Sequence, residues 1–140
     1  YHYFTETFIN LTIVNYSMKQ LGRTILQPQE VEVYFIIPAI RKALALAMKE
    51  EGLEQKEIAK RLGVTEAAVS QYIHRKRAMD VSFSKKMMAK IRESALLITD
   101  PLSLMRETQK LLRMAYKDRI LCRIHEKLGG APKGCGVCFG

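Results

Sequence analysis

Four residues near the end of the 140-residue chain have the chemistry of metal ligands. Cys122, His125, Cys135 and Cys138 form a C-x2-H…C-x2-C pattern. Cys122 and His125 are three apart, so on a helix end they share one face. Gly129-Gly130-Ala131-Pro132-Lys133-Gly134 lets the chain fold back and bring Cys135-Gly136-Val137-Cys138 towards them. Arg119, Arg123 and Lys127 would favour the thiolate form. Three readings compete. Zn²⁺ would take three Cys and one His as a tetrahedral site. An iron–sulfur cluster would take three Cys and leave its fourth position to His125, solvent or another ligand. The third reading is three reduced thiols, or a redox C-x-x-C pair, with His125 on the helix surface.

A second group lies in the middle of the chain: Gln55, Thr65, Glu66, Ala67, Ser70, Gln71, His74, Arg75, Lys76 and Arg77. A Gln amide pairs bidentately with adenine, a Glu carboxylate accepts from cytosine N4, and Ala67 or Ala68 touches a thymine methyl. Gln55 can present donors to a phosphate. His74, Arg75, Lys76 and Arg77 can clamp a nucleic-acid backbone, which positions a protein without specifying sequence.

The element that must position this second group is Gln55–Arg77, QKEIAKRLGVTEAAVSQYIHRKR. It predicts a helix over Gln55–Leu62, a turn at Gly63-Val64 and a second helix from Glu66 to about His74. Gly63 supplies the positive φ needed to leave a helix. Thr65 supplies an N-cap oxygen. Ile58, Leu62, Val64, Val69 and Tyr72 are apolar positions that can meet between crossed helices, and Ala59 is small where those helices approach. This is the helix-turn-helix layout, whose second helix enters the DNA major groove.

On the words FIIPAIRKALA, GLEQKEIAKRLGVTEAAVSQYI and RKR, the segment from about Val33 to Arg77 resembles lambda-repressor-like (XRE-type) regulators, and in particular an archaeal group of transcriptional regulators. The resemblance covers roughly half the chain. It implies an all-α, lambda-repressor-like helix-turn-helix bundle, double-stranded DNA as partner, and Gln55 as a phosphate-contacting residue. It says nothing about residues 1–17.

Elsewhere the signals are simpler. The sequence starts at Tyr1 rather than Met and is expected to be trimmed or tagged. Residues 1–30 form an expected extension, with either a strand or a partner-packed helix over residues 1–17. Val31–Ile37 is β-branched and aromatic enough to pass for a strand, and a scaffold helix is expected from about Pro38, or somewhat earlier, to Glu51. Ser82 or Ser84 caps a helix to about Leu97, with Met87, Met88, Ile91, Ala95 and Leu96 as its apolar face. Residues 31–98 thus make the expected DNA-binding domain, and residues 99–140 an expected dimerisation helix with a Cys-rich, metal- or cluster-binding tail. Asp100-Pro101 is a strong helix start, and no Gly or Pro follows until Gly129. One helix of up to 27 residues is expected there. Its apolar stripe is wider than one packing face needs. Pairing with a second subunit and packing twice within the monomer are the two ways to cover it.

Composition narrows the function. The chain carries 23 Lys+Arg against 14 Asp+Glu, a net charge of +9. Residues 1–51 are neutral, residues 52–99 carry +5 and residues 100–140 carry +4. The positive field coincides with the candidate DNA-reading stretch and favours a polyanion. No apolar run approaches the roughly 20 residues needed to span a bilayer, no signal peptide is visible, and three cysteines do not make a secreted disulfide framework. The cytoplasm is the expected compartment. The three His are scattered, and no carboxylate cluster, phosphate loop or nucleophile–base pair accompanies them, so no enzyme is expected. The reading is a sequence-specific, homodimeric DNA-binding regulator. Of the two metals, the iron–sulfur cluster is favoured over Zn, because a regulator needs something to sense. A regulator with a purely structural Zn site, and a basic RNA-binding or antitoxin-like protein, are the alternatives.

Overall fold

Gln27 is extended and its backbone N–H donates to the Glu30 carboxylate at 2.8 Å, which starts a helix at Pro28. The computed structural model describes residues 27–74 and 81–139. Expectations for residues 1–17, and for Arg75, Lys76 and Arg77, lie outside the described residues. The described residues form helices in the order α1 (Pro28–Val31), a π-helical turn (Glu32–Ile36), α2 (Ile37–Glu50), α3 (Gln55–Leu62), α4 (Glu66–His74), α5 (Lys85–Leu97), α6 (Pro101–Lys117), α7 (Ile120–Lys127) and a 3-10 turn (Val137–Phe139). No strand occurs among them. The all-α expectation holds.

The strand alternative for Val31–Ile37 does not. Val31, Phe35, Ile36 and Ile40 are all buried along one side of a continuous helical run. The π turn has a local cause. Pro38 has no N–H, and its ring would crowd the carbonyl four residues back in a regular helix. Just before it the Ile37 N–H reaches Glu32 O, five residues back, which widens the turn there.

α2 is the hub. It packs against α3, α4, α5 and α6. Ile40, Leu44, Ala45, Ala47 and Met48 are buried, all but Ala47 fully so. α5 starts where Ser84 Oγ accepts from the Met87 N–H at 3.1 Å, so Ser84 is the cap. Its core face is Met87, Ile91 and Ala95, with Met88 partly buried. Leu96, expected on that face, is 60% exposed. Ser94 takes an inward position instead and donates to Glu107 of α6 at 3.3 Å. The buried Glu107 carboxylate is also met by Lys110 at 3.1 Å, so it is paired as a buried charge must be.

The single long helix is in fact two. Asp100 Oδ1 accepts from the Ser103 N–H at 2.8 Å and caps α6 as expected. α6 then stops at Lys117, and Arg119 adopts a left-handed conformation (φ 55°) before α7 begins. No glycine marks the break. Arg123 secures it by donating to Asp118 O at 2.8 Å. The bend answers the wide stripe. Leu111, Leu112 and Ala115 are buried from α6, and Ile120, Leu121 and Ile124 from α7, while α7 turns back onto α1. Leu102 and Met105 stay exposed. Among the described residues no helix is long and apolar enough to cross a membrane.

Candidate nucleic-acid interface and cysteine corner

The turn of the motif is built by backbone chemistry. Gly63 is left-handed (φ 62°) and follows the last residue of α3. The Val64 N–H donates to Ala59 O at 3.0 Å, so the chain reverses over its own helix end and two orphan carbonyls are satisfied. Val64 then packs on the core. Thr65 Oγ1 accepts from the Ala68 N–H at 3.0 Å and caps α4. Both roles read from the sequence are the ones the structure gives these residues.

α4 has two faces. Ala68, Val69 and Tyr72 are buried against α2 and α3. Glu66, Ala67 and His74 are exposed, and Thr65, Ser70 and Gln71 are partly so. Ala67, Ser70, Gln71 and His74 follow the three- and four-residue spacing of one helix side. The structure thus brings the candidate base-reading residues onto one surface. Of the two alanines expected to meet a thymine methyl, Ala67 is on this surface and Ala68 is buried in the core.

Gln55 has a role that composition and spacing did not reveal. Its Nε2 donates to Glu66 O at 2.8 Å, eleven residues on. The amide therefore ties the start of α3 to the start of α4 and fixes the angle between the helices. An amide has two N–H donors, so one remains for a phosphate. On the flank of α3, Arg61 Nε donates to Glu57 at 2.9 Å and holds that carboxyl below its usual range. Lys56 and Lys60 are exposed beside this pair.

The cysteine corner is assembled only in part. Cys122, Cys135 and Cys138 are half-buried, and none is in a disulfide. Burial raises the Cys122 thiol, the nearby Cys138 and Cys135 raise it further, and Arg119 and Arg123 act the other way. The tail is seated by definite contacts. Tyr116 Oη donates to Cys138 O. The Phe139 ring stacks on Tyr116 at 4.7 Å, and the Arg119 guanidinium lies 4.3 Å from the Phe139 centroid. His125 is buried, its Nε2 has no hydrogen-bond partner, and it faces Gly130, where a Cβ would come within 2.9 Å of that nitrogen. Among the described residues no three His, Cys, Asp or Glu side chains are set to hold a metal ion as they stand.

Neither the curated proteins nor the solved structures gave a match to this chain. Residues 39–79, from α2 through the helix-turn-helix, match the family described as Sigma-70, region 4. With the turn, cap and exposed face of α4 above, this stretch is a helix-turn-helix of a DNA-binding fold.

Proposed function

We propose that the chain is a sequence-specific DNA-binding transcriptional regulator that reads its site with α4. The observation that carries this is the division of α4 into a buried side and a polar side. The polar side bears Glu66, Ala67, Ser70, Gln71 and His74 and begins at a capped helix end where Glu66 and Ala67 are exposed. A recognition helix needs that arrangement, because the residues nearest its N-terminus meet the base edges. The net charge of +9 supplies the phosphate-directed part of the affinity. The XRE-type archaeal resemblance and the Sigma-70 region 4 similarity agree on the motif and differ on its lineage. The proposal needs only the motif.

The regulator acts as a homodimer, because one such motif reads only a few base pairs and paired half-sites are the usual remedy. Leu96 and Leu97 at the end of α5 and Leu102 and Met105 at the start of α6 are exposed apolar residues, and they are the surface we assign to the second copy. Selection of bound sequences from random DNA tests the main reading. The expected result is a two-fold-related pair of half-sites. Equal affinity for RNA and random DNA, with no enriched sequence, would defeat it.

A further inference from the structure

We propose that the outer face of α6 is a second phosphate-contacting surface, which binds the backbone of double-stranded DNA without reading its sequence. Arg106, Lys110, Arg113 and Lys117 are all exposed on this helix. At 3.6 residues per turn the four fall within an arc of about 60° and span about 16 Å. The one acid of α6 is Glu107, and it is buried beneath them. Lys110 lies 3.1 Å from its carboxylate and Arg106 3.8 Å, so two cations share a single negative charge. Among the described residues Arg113 and Lys117 have no side-chain ion pair or hydrogen bond. By contrast, Lys90 pairs with Glu93 and Arg61 with Glu57, Arg123 donates to Asp118 O, and Arg119 lies over the Phe139 ring.

The charge pattern selects the partner. Like charges three and four residues apart on a helix repel one another, so the stripe destabilises α6 unless an anion meets it. A duplex carries one negative charge per about 1.7 Å of axis, so a stripe of this length meets more phosphates than it has cations. The stripe is also joined to the reading motif. Leu104 Cδ2 of α6 is 3.8 Å from where a Cβ on Gly63 would stand, and Arg61 Nη1 donates to Ile98 O just before α6 at 3.4 Å. α6 packs on α3 as well. Motif and stripe are thus one packed unit. The choice of DNA as the polyanion rests on the DNA-binding reading above, but the stripe needs no base recognition by α4.

The test measures binding of the full chain to a random-sequence duplex over a range of salt. Arg113→Gln combined with Lys117→Gln should make the fall of log K with log salt shallower by about 2. Binding at about 0.1 M salt should weaken at least about tenfold, with helical circular dichroism unchanged. Lys127→Gln combined with Lys133→Gln removes the same charge from other exposed positions and should change the slope by less than half as much. Selection from random DNA should enrich the same sites with the Arg113 and Lys117 variant as with the parent. The inference is overturned if the variant's slope stays within about 0.5 of the parent's, or if the control pair moves it as far. A changed enriched sequence, or lost affinity for RNA with none lost for the duplex, also overturns it. The two readings fail separately. An unchanged slope with the same enriched site removes the α6 surface alone. A shallower slope in a parent that enriches no sequence removes reading by α4 and leaves the surface.

Discussion

At the scale of single residues, the helix-turn-helix depends on a few local devices that can be removed one at a time. Gly63→Ala forces a Cβ into a left-handed conformation and should cost about 1 kcal/mol. Nothing blocks the new methyl group, since the nearest atom outside the turn is Leu104 Cδ2 at 3.8 Å, so the cost is a backbone one. Thr65→Ala removes the cap of α4 and should also cost about 1 kcal/mol. Urea unfolding of both variants checks these values, and a loss well under half as large would remove the assigned roles. Gln71→Ala should relax base preference at one position of the site while leaving non-specific affinity intact, read by repeating the sequence selection. Asp100 offers a pH test. Its carboxyl is held below the usual range, chiefly by the Ser103 backbone N–H. Its contribution is present above the unfolded carboxyl pKa and is lost as pH falls through the folded one. Asp100→Asn should therefore flatten the acid limb of stability against pH, and an unchanged slope would contradict the cap.

At the scale of elements, α2 and the α6–α7 break matter most. Leu44 is fully buried in the hub helix, so Leu44→Ala should cost about 2–5 kcal/mol and loosen α3, α4 and α5 together. The break redistributes an apolar stripe that one straight helix would have left half-uncovered. Leu96, Leu97, Leu102 and Met105 remain exposed. If those residues join two copies, Leu102→Glu should leave monomer stability within about 0.5 kcal/mol, as expected of an exposed site. It should also shift sedimentation from dimer to monomer. A parent protein that sediments only as monomer would remove the dimer.

At the scale of the molecule, the sequence by itself determined the motif, its turn and its cap. Those features are local: a Gly with positive φ, a Thr three residues before an N–H, and apolar positions at helical spacing act within a few residues of one another. The helical class, the Asp100-Pro101 start and the inward face of α2 were legible for the same reason. Tertiary structure decided what depends on distant partners. Val31–Ile37 is helical because its apolar side packs against α7, although β-branched residues alone allow a strand. The break at Arg119 carries no glycine signal, and it is held by Arg123 and bordered by the Phe139 contact. Leu96 turned outward because the buried Ser94–Glu107 pair took the inward position. Gln55 became a tie between two helices because folding set Glu66 O within 2.8 Å of its amide. The cysteine spacing fixed which sulfurs could meet. The fold put His125 in the core and the tail on Tyr116 and Arg119, since burial and stacking across the α6–α7 junction are long-range terms that no local pattern encodes.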